Sequence, residues 1–425
     1  VTRFSSFFHD IISGSPNYKR FLVELLCLLV PYLYYLSQWN ITEVLPGTLY
    51  SSTDSQQYKA YGEFLTGVGG YASDTRPYLF PLFVRLCELA GGVWAVWFVQ
   101  ALLHVGGGLL LFSVVRQTSR WWPGWWCVVL FYGTHPSLAV HTMHALTETV
   151  TVFLLSLFVY FLTRAPHADA LRRVKALLVL ALAVVVKPVF LYVFLCALVW
   201  LIWRERGFLF RSRALLALLG ISLVCVLVQP VLMKRQQGEF FLSRIGEITL
   251  REYYFRMLYA RAEGLSFSLT GGASYTDADK IDNAVKNAST GDIVRVAARN
   301  PMLAVSTGAE VVYTNIDSGS ILVGQLNGGE GIAFWSEFMR KFTLGAHFAA
   351  LAGMLWLLVR RKWRAFFPGF HATLLLWAYI LLVSGISFWQ GDRLVIFALP
   401  LWVTLYPAVY LAVWRSFRKK SMEAV

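Results

Sequence analysis

The chain has 425 residues, of which 57% are hydrophobic, 16% aromatic and only 15% charged, with a formal net charge of +14. A soluble globular chain carries about 25% charged residues, so the shortfall excludes an ordinary soluble domain and points to lipid as the solvent. The surplus of positive charge would suit nucleic acid, but its distribution along the chain excludes that partner.

The opening VTRFSSFFHD lacks the apolar core and small-residue cleavage site of a secretory signal, so the first apolar run is expected to stay as a membrane helix. A spanning helix needs roughly 20 mostly apolar residues. In chain order the runs that qualify are 21–37, 92–114, 121–137, 146–163, 213–233, 343–359, 369–387 and 393–414. Residues 77–90 read as a short interfacial or re-entrant helix leading into the second run. The apolar stretch 174–203 is too long for one span and is interrupted by Lys187-Pro188, where proline removes a donor and breaks a helix. Two helices meeting at Lys187 bring the total to about ten.

With the N-terminus inside, the inner segments 1–20, 115–120, 164–175, 204–213, 360–364 and 415–425 hold 21 of the 38 Lys and Arg residues. Among acids those segments contain only Asp10, Asp169, Glu205 and Glu423. Short basic loops on one side are the signature of cytoplasmic loops, not of a nucleic-acid surface. Both termini are then cytoplasmic, and two long segments, 38–91 and 234–342, fall outside. In the second, 251–264 and 278–313 carry apolar residues at helical spacing among charges and predict short amphipathic helices. Residues 264–276 and 315–333, rich in Gly, Ser and Asn, read as mobile loops. The chain divides into an N-terminal transmembrane module (1–233), an outer segment (234–342) and C-terminal helices (343–425). Cys27, Cys87, Cys127, Cys196 and Cys225 lie in or beside apolar runs, are odd in number and form no CxxC, so free thiols are expected. Trp39, Trp121, Trp122, Trp125, Trp126 and Trp389 read as interfacial belts.

Unusual polar residues from six parts of the chain gather at the outer ends of these spans: Asp54, Asp74, Arg76, His135, His141, His144, Glu148, Lys187, Gln390, Asp392 and Arg393. Ionisable groups at membrane depth are costly and mark function. Each also has a plain reading. Asp54, followed by Gln57, fits the N-cap of a helix that buries Tyr58, Tyr61 and Leu65. Lys187 fits a snorkelling helix-end lysine, Arg393 an ion pair with Asp392, and Arg76 a loop residue packed on Tyr71 or paired with Asp74. If 139–150 is helical, His141, His144 and Glu148 share one face. Metal ligation, a polar wall for a sugar or acceptor, and ordinary helix-end hydrogen bonding all remain open for them.

Residues 54–83, DSQQYKAYGEFLTGVGGYASDTRPYLFPLF, resemble the first outer loop of the GT-C glycosyltransferases, nearest the branch of protein O-mannosyltransferases and lipid A aminoarabinose transferases. In that branch a D-x-x-x-Y-x-x-x-A/G helix precedes a G-x-G-Y turn and an R-P-P-L-Y-P-L-F-like segment. Here these are Asp54, Tyr58 and Gly62, then Gly67, Gly69, Gly70 and Tyr71, then Arg76 to Phe83, with Tyr78 replacing the second proline. The 136–148 stretch PSLAVHTMHALTE, the Lys187-Pro188 break and the Asp392-Arg393 pair resemble the family in layout only.

The resemblance implies an all-α polytopic membrane protein, GT-C-like, with extracytoplasmic loops carrying short amphipathic helices. It implies an inverting transfer of sugar from a polyprenyl-phosphate carrier to a lipid-linked glycan, a lipid or a protein hydroxyl on the extracytoplasmic face, as in a bacterial inner membrane. Asp54 is then the acid/base residue and Glu148 the second carboxylate. Lys187, Arg393, Arg76 and Arg256 are candidates for the phosphate, because a carrier phosphate needs neutralising rather than protonating. His141, His144, Tyr58, Tyr61 and Asp74 are candidates for acceptor or sugar. No cofactor is required, and a divalent metal at His141, His144 and Glu148 is left open. A flippase for a polyprenyl-linked glycan and a glycan polymerase are the alternatives.

Overall fold

The computed structural model describes residues 18–118, 122–163, 170–209, 211–268, 272–273, 275–319, 321–326, 329–359, 369–387, 393 and 395–423. The described residues are overwhelmingly helical. Their one sheet is a two-residue antiparallel pair, β1 Phe267–Ser268 with β2 Gly272–Ala273.

The first apolar run forms α1 (Tyr18–Gln38). It buries Leu28, Tyr32, Tyr35 and Leu36 at helical spacing and leaves Val23, Leu26, Val30 and Leu33 exposed. A continuous apolar face of this kind is stable only against lipid or protein. Helices α2 (Ile41–Thr48) and α3 (Thr53–Leu65) follow and pack on α4 (Leu79–Thr118). The last is two helices joined at Gly91 and Gly92. Gly92 has φ 63 and ψ −152, a conformation essentially restricted to glycine. Residues 79–90 are therefore a short helix leading into the span, as the sequence predicts.

Then come α5 (Trp122–Val128) with a π turn at Val129–Gly133, α6 (Pro136–His141), α7 (Glu148–Thr163) and α8 (Ala170–Val186). At Lys187 the backbone is extended (φ −140, ψ 105), and a 3-10 turn at Pro188–Phe190 starts α9 (Leu191–Leu209), so the proline break lies where expected. Helix α10 (Arg213–Gln237) lies against α8. The centre is α7, buried on most sides between α4 and α8.

Beyond α10, α11 (Ile245–Ile248), a π-helical Thr249–Phe255 and α12 (Arg256–Ala262) precede three helices in the region read as amphipathic: α13 (Tyr275–Asn287), α14 (Thr290–Arg299) and α15 (Pro301–Asp317). They build a small core of their own around Phe255, Ala260, Ile281, Val285 and Ile293. Next are α16 (Ile321–Gln325), α17 (Gly329–Val359), α18 (Phe370–Ser384) and, after a 3-10 turn at Ile396–Ala398, α19 (Leu399–Glu423). Helix α19 packs on α17 and α18 but also on α4 and α7, so the C-terminal helices share the core of the N-terminal ones.

Among the described residues five helices are long and apolar enough to cross a membrane, and Gly124–Gly133, Glu148–Thr163 and Phe370–Ser384 add shorter apolar helices. The chain is a polytopic, all-helical integral membrane protein. Where 315–333 was expected as a mobile loop, the described residues are mostly helical. Asn315 is buried and donates to the carbonyls of Ser384 (2.9 Å) and Ser387 (2.8 Å), and Asp317 is paired with Arg340 (2.9 Å) and Lys341 (3.1 Å). These tertiary partners offset the poor local helix preference of the stretch. Trp39 is also no belt residue: it is fully buried and stacked on Tyr35. All five cysteines are free. Trp121, Trp389, Gln390 and Asp392 lie outside the described residues.

Candidate active site

Helix α3 begins at Ser52, whose hydroxyl accepts from the Ser55 N–H at 3.1 Å, so the cap is Ser52 and not Asp54. Ser51-Ser52-Thr53-Asp54 offers several capping side chains in a row, and the extended backbone at Ser52 decides between them. Asp54 consequently stands in the first turn, where the helix dipole favours a carboxylate, with its side chain released from capping.

Arg76 reaches that carboxylate from the turn between α3 and α4. In this turn Gly67, Gly69 and Gly70 all have positive φ. A Cβ on Gly70 would fall 1.9 Å from the Ala60 carbonyl oxygen, so glycine alone lets the turn lie against α3. The turn is tied down from outside. Ser243 Oγ donates to the Thr75 carbonyl (2.7 Å), the Arg244 N–H to the Asp74 carbonyl (2.9 Å), and Gln229 Oε1 of α10 accepts from the Tyr78 N–H (3.0 Å) and the Tyr61 hydroxyl (3.2 Å). Held in this way, Arg76 pairs through Nη2 with Asp54 Oδ1, donates from Nε to Gln57 (3.0 Å), and lies over the Tyr58 ring at 5.2 Å.

The second carboxylate is Glu148, the first residue of α7 and only 1% exposed. Its Oε1 accepts from Lys187 Nζ at 3.0 Å and from Arg393 Nε at 2.5 Å. Arg393 also reaches Asp54 Oδ2 through Nη1 at 2.7 Å. One guanidinium thus links the two carboxylates, and an unbroken chain runs Arg76, Asp54, Arg393, Glu148, Lys187. Three cations face two anions, a surplus of one positive charge. Lys187 Nζ also lies 4.5 Å from the centre of the Phe397 ring. Two of these cations lack the plain partner considered from sequence: Arg76 is on Asp54 and not on Tyr71 or Asp74, and Lys187 turns inward to Glu148.

Residues 139–150 are not one helix. Helix α6 ends at His141, and a turned segment runs to Glu148, so the shared helical face of His141, His144 and Glu148 does not exist. The cause is tertiary: Gln100 Nε2 of α4 donates to the carbonyls of Thr142 and His144, both at 3.0 Å, and the Ala145 N–H donates to the Leu49 carbonyl at 2.9 Å. The turn still delivers both imidazoles beside Glu148. All four of their ring nitrogens and Glu148 Oε2 are buried without a hydrogen-bond partner. Among the described residues no three His, Cys, Asp or Glu side chains form a metal-holding group.

Burial pushes His141 down to about 3 and His144 down to about 4, with nearby Glu148 opposing the shift. An unfolded histidine titrates near about 6.5, so between that value and the lowered ones the unfolded chain binds protons that the folded chain does not. Stability is therefore complete above pH ~6.5 and falls as the pH drops toward ~4, by on the order of 1–2 kcal/mol per ring at pH ~5. Thermal unfolding of the solubilised protein from pH ~7 to ~5 is expected to show this slope, and a His141→Asn/His144→Asn variant to flatten it. An equally steep profile in the variant would assign the slope to other groups.

Three sequence candidates lie apart from this site. Arg256 pairs with Asp282 and with Glu252 (3.3 Å) on the outer helices. Asp74 takes part only through its carbonyl, which holds Arg244. Tyr61 is fully buried with its hydroxyl on Gln229, which makes it core and not a sugar platform. Tyr58 is buried edge-on against Phe80 and touches the site only from beneath Arg76. Sequence reasoning missed Gln100 and Gln229, which position the His144 turn and the Arg76 turn. Each is a lone amide inside an apolar helix, a signal that was there to read.

The fold and site together define a helical membrane protein with a cation-rich carboxylate pair, one buried and one partly exposed, at one end of its bundle. No protein-family model and no curated protein matches the chain. Among solved structures it is similar to the crystal structure of ArnT from Cupriavidus metallidurans bound to undecaprenyl phosphate, over 92% of this chain and 77% of that one, at 13% identity and a TM-score of 0.36. At that score the likeness carries no residue assignment.

Proposed function

We propose that the chain is an inverting GT-C-type glycosyltransferase that moves a sugar from a polyprenyl-phosphate carrier to a hydroxyl of a lipid-linked glycan, lipid or protein on the extracytoplasmic face. The observation that carries this reading is Arg393, shared between Asp54 and Glu148. It couples the carboxylate suited to accept a proton to the cations suited to hold a phosphate. The first-loop motif supports the reading independently, because its Asp54, Gly70 and Arg76 are the residues that build this corner.

In the resting protein both Asp54 oxygens are engaged by arginines, so the base is masked. An incoming carrier phosphate competes for Arg393 and Lys187, and Arg393 in turning to it frees Oδ2. The acceptor oxygen then attacks the anomeric carbon, and the new C–O bond forms as the bond to the phosphate oxygen breaks. The departing electron pair stays on polyprenyl phosphate, neutralised by Arg393 and Lys187, while Asp54 takes the hydroxyl proton. Glu148, buried beneath, holds the two cations at the spacing the phosphate needs. The buried nitrogens of His141 and His144 are available to sugar or acceptor hydroxyls. The short basic loops on the opposite side support an extracytoplasmic site.

The test is incubation of the purified protein with a panel of polyprenyl-phosphate sugars, following free polyprenyl phosphate. The expected result is release from one donor class that depends on acceptor. Tight carrier binding with movement across a vesicle membrane and no release would replace this reading with transport.

A further inference from the structure

The 79–90 segment of α4 lies across α3, and its contacts run the length of that helix. Phe80 meets Tyr58 edge to face at 4.8 Å, beneath the Arg76 guanidinium. The next contact is tight: a Cβ on Gly62 would fall 2.6 Å from the Pro81 carbonyl oxygen. One turn on, Arg85 Nε donates to the hydroxyl of Thr66, the C-terminal cap of α3, at 3.3 Å. Glu88 reaches back to the other end. Its Oε1 accepts from the Tyr50 hydroxyl at 2.6 Å, and its Oε2 lies 3.5 Å from Arg85 Nη1. The Arg85 and Glu88 side chains are 16% and 11% exposed, so this is not the weak ion pair of an open surface. Tyr50 stands just before the Ser52 cap in the chain, and Lys59 Nζ lies over its ring at 5.0 Å. A carboxylate is costly in a segment as apolar as LFPLFVRLCELA. Here it joins that segment to the stretch of chain that starts the Asp54 helix.

We propose that Glu88, acting through Tyr50, is a positioning residue that fixes Asp54 against Arg76. Arg76 sits on the turn that leads into 79–90, and Asp54 sits on the first turn of α3, so their pairing depends on how α3 lies along this segment. Arg85 fastens one end of α3 and Glu88 the other. The break at Gly91 and Gly92 separates 79–90 from the span that follows, so the segment takes its register from α3. The effect on transfer rests on the reading of Asp54 as the base, whereas the effect on α3 does not.

The experiment is amide hydrogen exchange of the full-length protein, wild type against Glu88→Ala, Glu88→Gln and Tyr50→Phe, read over residues 52–58 and over α7. Turnover and polyprenyl-phosphate affinity are measured on the same proteins. Glu88→Ala and Tyr50→Phe are expected to speed exchange over 52–58 by about tenfold or more, the worth of a hydrogen bond to a charged group, with α7 unchanged. Glu88→Gln, whose amide oxygen still accepts from Tyr50, restores most of that protection. On the proposed chemistry the first two variants lower turnover by about 10- to 100-fold, as a misplaced base does. They do not weaken carrier binding, because Lys187 and Arg393 are untouched. Unchanged exchange over 52–58, equal opening of α7, a glutamine variant as open as the alanine variant, or a turnover loss matched by lost carrier affinity would each overturn the proposal. A wild-type protein that turns over no donor would instead refute the catalytic reading, and the exchange comparison would still decide the role of Glu88. If Glu88→Ala does not fold, Tyr50→Phe carries the test, since it removes only the hydroxyl.

Discussion

Replacing Asp54 by Asn is expected to slow sugar transfer by about 10²- to 10⁴-fold, the contribution of a positioned general base, while the protein stays folded and still binds carrier. Asparagine keeps the shape and an oxygen for Arg76 or Arg393, but it cannot take the acceptor's proton. It also removes the anion that competes with phosphate for Arg393. The two effects separate in kinetics: the turnover number falls, and the affinity for polyprenyl phosphate stays level or improves. A variant that lost carrier binding along with turnover would make Asp54 a structural residue. Retained turnover would remove it from the chemistry altogether.

Replacing Glu148 by Gln is expected to act first on stability. Glu148 is 1% exposed and is the shared partner of Lys187 and Arg393. Its neutralisation leaves two cations facing each other with one anion, Asp54, on the far side of Arg393. Breaking a buried pair by removing one partner typically costs about 3–5 kcal/mol, because the remaining charge is left without compensation. Adding Lys187→Met to Glu148→Gln should therefore recover part of the loss, so the double variant is more stable than the two single losses predict. Unfolding midpoints of the four proteins in one detergent measure this. Additive losses would mean that Lys187 and Glu148 are neighbours without energetic coupling.

On the proposed mechanism the two carboxylates divide the work. Asp54 is partly exposed, on a helix end beside an open turn, and its partners can exchange for a ligand. Glu148 is sealed in, and its half-buried neighbours Lys187 and Arg393 are cations. A masked base also implies an order of events, with the donor arriving before the base is free.

Much of this was legible in the sequence because it is local. The apolar runs set the helices, proline set the break at Lys187, and the glycines around Gly70 set the turn that carries Arg76. What could not be read depended on partners far along the chain. The cap at Ser52 rather than Asp54 turns on backbone geometry that neighbouring serines and threonines leave ambiguous. The interruption after His141 follows from Gln100 taking the Thr142 and His144 carbonyls, a contact 42 and 44 residues away. From sequence Arg393 suggests its neighbour Asp392, which lies outside the described residues, and nothing local points to Asp54 and Glu148, 339 and 245 residues earlier in the chain. Trp39 and Tyr61 show the same limit in the core: nothing local tells an interfacial or sugar-facing aromatic from one that packs inside.

The most direct test of the account is the fate of the donor. The purified protein is given a polyprenyl-phosphate sugar of known anomeric configuration and a hydroxyl acceptor, and both lipid and product are analysed. The account predicts free polyprenyl phosphate in amounts equal to the product, with the anomeric configuration inverted. Retention of configuration, or an intact carrier recovered after every donor has been tried, would contradict it.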